Sequence, residues 1–235
     1  MLIFRSCRSV ACSLALIVGL SGCASGTSST VDIFSSVLAE KWGSSQKPGL
    51  GVATNPAFRY LLVQVQDRAP AFLVLGYVDG HPQGEIEVWY SSKNEVIKTQ
   101  NGRIVGTAGL EVDWFGVRYL PTPPNWSESM TEQRVYQRQR DEMPGYRYAI
   151  TDKIESAVWR GTLPIVWPES LPRKPAVAYT WFREVTVTSN DQVLPPAWFA
   201  WGVYRGKASV IYSEQCLSPS FCLKLQRWPA QEGEL

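Results

Sequence analysis

The chain has 235 residues, 45% of them hydrophobic, with 23 basic side chains, 21 acidic ones and a single histidine. So even a balance offers no bulk charge with which to recruit nucleic acid or anionic lipid. One histidine leaves little for a metal centre or a His-based triad, whereas polysaccharide binding is left open because sugars are often neutral.

Arg5 and Arg8 precede an apolar run from Val10 to Leu20, which closes on Ser21-Gly22 and then Cys23. Basic flank, short apolar core and small-residue cleavage site together spell an export signal. The cysteine directly after the small pair makes it a bacterial lipoprotein signal. The run is about eleven residues, too short for the roughly 20 that a transmembrane helix needs. A secretory signal with a chance cysteine is the remaining rival. Cleavage before Cys23 predicts a diacylglycerol thioether on its sulfur and an acyl chain on its new amine. Several such chains, at ~0.8 kcal/mol per buried CH₂, hold a protein firmly to the lipid bilayer. Ala24 follows the cysteine, and the aspartate that marks inner-membrane retention is missing, so the expected address is the outer membrane, facing the periplasm. Removing residues 1–22 takes two arginines and no acid, leaving 213 residues with 21 basic and 21 acidic side chains.

Residues 23–30 are small and polar and read as a lipidated flexible tether. Ile33, Phe34, Val37, Leu38 and Trp42 then recur at helical spacing, with Thr30 as N-cap and Gly43 as stop. From Phe58 the pattern becomes β: Phe58–Val65, Ala71–Val78, Glu85–Tyr90, Glu95–Thr99 and Arg103–Thr107 are short runs joined by turn residues. Asn101-Gly102 is the strongest hairpin signal, since a type I′ turn needs positive φ at both positions. Pro121-Thr-Pro-Pro124 breaks the pattern, and the polar stretch Ser127–Met143 reads as a helix or a long excursion. Strand runs resume at Tyr146–Thr151, Ala157–Thr162, Ala176–Thr188, Trp198–Tyr204, Ala208–Tyr212 and Leu223–Trp228. The predicted fold is mainly β: a single antiparallel β-barrel-like or two-sheet domain over residues 31–235, with a short N-terminal helix.

Cys7 and Cys12 leave with the signal and Cys23 is lipidated. Cys216 and Cys222 remain, and in an oxidising compartment they read as one local disulfide. A metal site on two thiolates lacks further ligands, because His81 is distant in sequence; neither a metal nor a cofactor is expected.

Trp89-Tyr90-Ser91, the run from Thr99 to Leu110 with Asn101-Gly102-Arg103-Ile104-Val105-Gly106-Thr107 and Gly109, and Ser213–Pro219 near the end resemble the YjbF/GfcB (YmcC-like) lipoprotein family. The resemblance implies a barrel-like domain tethered to the outer membrane. It also implies a place beside the proteins that make and export capsule or other exopolysaccharide, with partners in that export machinery. No catalytic residue comes with it. Read by themselves, Asn101 and Gly102 close a hairpin, and Arg103 forks onto a carboxylate or carbonyl. Gly106 and Gly109 allow a bulge or a close backbone approach, beside Thr107.

The chain carries no Gly-x-Ser-x-Gly elbow, no phosphate-cradling loop before a helix and no His-Glu-x-x-His. His81 sits in a polar loop sequence, and Glu85 with Glu87 reads as the solvated face of a strand opposite Ile86 and Val88 rather than a glycosidase pair. No catalytic residue is therefore assigned. Among ten tryptophans, Trp114, Trp126, Trp198 and Trp201 are candidates for a sugar-stacking platform. Trp126, in the proline-rich loop, is the best single candidate for glycan contact, weighed against ordinary core burial. The favoured role is a non-enzymatic accessory in exopolysaccharide or capsule export; a glycan-binding module is the second reading.

Overall fold

The structure is a computed structural model and describes residues 55–229, apart from 67, 127–132, 169–170, 172–178 and 190–191. The expected signal peptide, Cys23, the tether and the N-terminal helix lie outside the described residues. Twelve strands follow in chain order: β1 (Tyr60–Val65), β2 (Ala71–Asp79), β3 (Ile86–Tyr90), β4 (Val96–Gln100), β5 (Arg103–Ala108), β6 (Asp113–Leu120), β7 (Arg134–Met143), β8 (Arg147–Trp159), β9 (Thr180–Thr188), β10 (Val193–Tyr204), β11 (Lys207–Ser218) and β12 (Phe221–Trp228).

They form one antiparallel sheet in the order β5-β4-β3-β2-β1-β12-β11-β10-β9-β8-β7-β6. Every hydrogen-bonded neighbour is also a neighbour in sequence, except where β1 pairs with β12, Tyr60 opposite Trp228. The two outer strands, β5 and β6, come together: the Trp114 amide donates to Thr107 Oγ1 at 3.0 Å. The sheet therefore curls into a nearly closed barrel whose seam lies between β5 and β6. Of the barrel and two-sheet alternatives, the structure realises the barrel.

The lumen has two halves of different chemistry. Leu61, Val63, Leu73, Trp89, Ile97, Ile104, Leu223 and Leu225 fill the side made by β1 to β5 and β12. On the other side β7 turns Tyr136, Arg138, Arg140 and Glu142 inward at period two, all buried. That inward polarity is why 127–143 reads as a helix or an excursion: the periodicity is that of a strand, but its hidden face is charged. The runs Tyr146–Thr151 and Ala157–Thr162 are likewise one continuous strand, β8, with Asp152 and Ser156 buried on its inner face. Strand β6 has no counterpart among the expected runs, because its register shifts between Phe115 and Arg118 and breaks the alternation. Strand β10 reaches back to Val193 through Pro195-Pro196, where the pairing to β9 shifts between Leu194 and Ala197. Prolines cannot donate to a ladder, and the irregularity accommodates them.

Outside β9, β10 and β11, Trp181, Trp198, Ala200 and Ile211 form a second apolar layer. Leu163, Ile165, Trp167 and Leu171 of the β8–β9 connection fold back over it. The Trp167 indole donates to the Leu171 carbonyl at 2.8 Å.

Cys216 and Cys222 are bonded to each other across a directly opposed pair of β11 and β12. Because the enclosed loop is short, chain-entropy reasoning gives the crosslink about 2 kcal/mol. The expected result for Cys216→Ser with Cys222→Ser is a fall of about 2 kcal/mol in unfolding free energy, read as a lower urea midpoint, and reduction of the wild type has the same effect.

Candidate functional site

The connections β2–β3, β4–β5, β6–β7 and β10–β11 gather at one rim of the barrel, together with the start of β1 and the end of β12. The Asn101-Gly102 turn has φ of 50° and 79°, the left-handed pair that a type I′ hairpin requires. Its tip does not stand free. A Cβ added to Gly102 would fall 2.4 Å from the Val210 Cβ, so the hairpin leans across the lumen onto β11. Gln215 clamps it there, donating to the Gly102 carbonyl at 2.8 Å and accepting from the Ile104 amide at 2.9 Å.

Arg103 follows the turn and is 3% exposed. Its guanidinium donates to Glu184 Oε1 at 2.8 and 3.1 Å, to Tyr136 Oη at 3.1 Å and to the Pro124 carbonyl at 3.4 Å. Burial alone would lower its pKa, but Glu184 and the Tyr136 ring oxygen outweigh that and raise it, so the cation is fixed. Burial, and then the Glu184 carboxylate, raise the Tyr136 phenol well above its ordinary value. The motif's other members have local duties. Thr107 caps the Trp114 amide at the seam, Gly106 lies against the Trp114 carbonyl, and Gly109 takes φ +83° as its amide donates to Asp113.

Trp126 lies over the Arg103 guanidinium at 3.7 Å and packs on Phe182 and Phe199, each 4.8 Å away. Its indole N–H donates to the Asn101 carbonyl at 2.6 Å. The proline-rich loop is thereby pinned into the barrel mouth, and its tryptophan becomes a wall. Between this wall and β10–β12 lies a cleft of about 600 Å³. Trp126 and Trp201 supply its aromatic surface, with Tyr204 beneath, while Arg59, Arg205, Lys207 and Arg227 face Glu85 and Glu87.

The four candidate tryptophans part company. Trp126 and Trp201 line the cleft, whereas Trp114 and Trp198 are 2% and 5% exposed in the core layers. Glu87 also departs from expectation. Rather than facing solvent, it turns into the barrel and accepts two bonds from Arg227 at 3.0 and 2.7 Å. Val88, on the opposite face, is fully buried, and Glu87 is largely so with 15% of its side chain exposed, so neither face of β3 is the solvated one expected. Glu85 and His81 are exposed, and the His81 Nδ1 accepts from the Gln83 amide at 3.2 Å. Among the described residues no cluster of histidine, cysteine or acidic side chains is fit to hold a metal ion.

A second buried network lies deeper. Asp152, fully buried, accepts from Arg138 Nε at 2.8 Å and Arg140 Nε at 2.9 Å. Arg140 also donates to Glu142 at 2.6 Å, and Arg147 reaches the same Glu142 carboxylate from the surface. The two guanidiniums lie over the Trp114 ring at 4.1 and 4.4 Å. Burial lowers the Arg140 pKa most, Asp152 opposes that, and neighbouring Arg138 adds to the lowering. These acids and bases escape sequence reading because their partners sit on other strands; period-two polar residues within a β-like run are the only trace.

The family model described as "Group 4 capsule polysaccharide lipoprotein gfcB, YjbF" matches residues 52–163. Over those residues the chain is similar to the YjbF family. The match takes in β1 to β8, including the turn, Arg103 and Trp126. The solved structure of the hypothetical lipoprotein YmcC from Escherichia coli (K12) has the same fold, with a TM-score of 0.62 at 16% identity, covering 86% of this chain and 98% of that one. No curated protein matches the chain. The description of that family links it to capsule polysaccharide and to lipoproteins.

Proposed function

We propose that this YjbF-like protein is a non-enzymatic accessory in exopolysaccharide or capsule assembly and export. It is held by an acylated Cys23 to the periplasmic face of the outer membrane, beside the export machinery. The observation that carries this reading is the family match over 52–163, read together with the lipoprotein signal that ends at Cys23. The geometry supports a binding role over a bond-making one. Arg103 is consumed in an ion pair with Glu184, Arg138 in one with Asp152, and Arg227 in one with Glu87. Confinement to a surface raises the protein's effective concentration near its partners without any new contact. The Asn101–Gly109 motif serves as scaffold in this reading: it closes the hairpin and builds the cleft's floor.

Deletion and complementation test it. Loss of the gene is expected to lower surface polysaccharide several-fold, and the wild-type chain to restore it. Cys23→Ser, which offers no sulfur for the lipid, is expected in the soluble periplasmic fraction and restores little. His81→Ala and Glu85→Ala keep full output. Normal polymer in the deletion strain, or failure of either alanine variant at normal abundance, overturns the proposal.

A further inference from the structure

The rim cleft combines features that few scaffolding surfaces need. It is concave, about 600 Å³, and walled on one side by Trp126 and Trp201. That volume is within the range of small-ligand sites. Aromatic side chains offer apolar faces with polar edges, which suit a pyranose ring with its apolar C–H face and hydroxyl rim. Asn101, Asn125 and Ser209 add amide and hydroxyl groups at the same opening, the donor and acceptor types that pair with sugar hydroxyls.

The charge of the cleft then narrows the class. Four cationic side chains meet two carboxylates. Arg227 is neutralised by its two bonds to Glu87, at 3.0 and 2.7 Å. Arg59 lies farther from the same carboxylate, at 4.0 Å, with 41% of its side chain exposed. Arg205 and Lys207, at the exposed β10–β11 turn, overhang the mouth. With Arg227 paired to Glu87, Arg59 and Lys207 stand against the one remaining carboxylate of Glu85, so a small positive surplus remains, in a chain whose expected mature form carries none. A cleft lined by one dominant sign concentrates ligands of the other.

Resting on the reading above, we propose that the rim cleft binds an acidic saccharide segment, a uronate-type sugar. Its ring stacks against Trp201 and the exposed edge of Trp126, and its carboxylate meets Lys207, Arg205 and Arg59. The Arg227–Glu87 pair forms the polar floor. A water-sized recess of about 20 Å³ beneath, between Thr99, Ser213 and Arg227, leaves room for a single bridging water and no more of the ligand.

The test is calorimetric titration of the full-length lipidated protein in a non-sugar detergent, with tri-galacturonate and with neutral maltotriose. Tri-galacturonate is expected to bind at least ten-fold more tightly than maltotriose, and to lose several-fold in affinity between low salt and 0.5 M NaCl. Lys207→Glu, on the exposed turn, is expected to cut tri-galacturonate binding several-fold without moving the melting temperature. Trp201→Ala weakens it too. Equal affinity for the two sugars, indifference to charge reversal, or no heat at millimolar tri-galacturonate each overturns the inference. If the deletion strain lacks polymer while tri-galacturonate stays silent, the accessory role stands and the cleft assignment alone falls.

Discussion

Asp152→Ala should be the most damaging single substitution in the barrel. It removes the one carboxylate shared by Arg138 and Arg140. Arg138 and Arg140 are 8% and 2% exposed, so neither reaches water to recover its solvation. Removing one partner of a buried ion pair costs about 3–5 kcal/mol, because the charge left behind is uncompensated. Here two charges lose their partner at once, in face-to-face contact with Trp114. Arg140 keeps Glu142 at 2.6 Å; Arg138 keeps the Trp114 ring and the phenols of Tyr119 and Tyr136, none of them a carboxylate. The expected loss is about 5 kcal/mol or more, much of the 5–15 kcal/mol that a domain has in hand. Thermal melting should fall by roughly 10–20 °C, at 2–4 °C per kcal/mol for a unit this size. Lys153→Ala, next in sequence with 58% of its side chain exposed, is expected to change stability by no more than about 0.5 kcal/mol. A melting temperature for Asp152→Ala within two or three degrees of the wild type would contradict the argument. Replacing Arg138 and Asp152 together by apolar residues, as Arg138→Met with Asp152→Leu, while Arg140 keeps Glu142, should recover part of the loss, since the desolvation cost of that pair goes with its charges.

The same cluster shows where sequence reading reaches and where it stops. Strands β1 to β5 are legible because their inner faces are Leu, Val, Ile and Trp in alternation, and because Asn101-Gly102 demands one backbone geometry. The disulfide is legible because the expected loss of the signal and lipidation of Cys23 leave only two cysteines. Strand β7 is not, since alternation of Tyr136, Arg138, Arg140 and Glu142 has no apolar member except the tyrosine, and a polar inner face looks the same as a solvated one until the partner strand is known. Glu87 fails for the same reason: its partner Arg227 lies 140 residues away in sequence, and only the β1–β12 closure brings them together. The cleft was half visible. Trp126 stands out by its loop. Trp198 and Trp201, three apart on one strand, fall on opposite faces by alternation, but which face is the lumen is settled only by the pairing of β10 with β9 and β11.

Arg103 carries the second large prediction, because it joins the hairpin motif to the cleft wall. Arg103→Met strands the Glu184 carboxylate, 4% exposed, and removes the platform beneath Trp126 and a donor to the Pro124 carbonyl. Glu184→Leu strands the guanidinium in the same pocket. Each alone should cost about 3–5 kcal/mol. The double variant leaves neither charge, and the methionine and leucine fill comparable volume, so it should cost less than the two singles added together. A coupling energy of about 3 kcal/mol or more is expected from the cycle, against a few tenths for residues that do not touch. The double variant also distinguishes the fold from the site. Its barrel recovers stability, but Trp126 loses the cation that holds one face of its ring. Endoproteinase Glu-C, which cuts after Glu128 and Glu132, is therefore expected to cut the 121–134 connection faster than in the wild type, even at temperatures where the barrel is intact. Additive singles would mean that Arg103 and Glu184 are not partners in solution. A double variant that is stable and as slowly cut as the wild type would mean that the indole bond to the Asn101 carbonyl and the contacts with Phe182 and Phe199 fix the loop by themselves, leaving the arginine to serve the core alone.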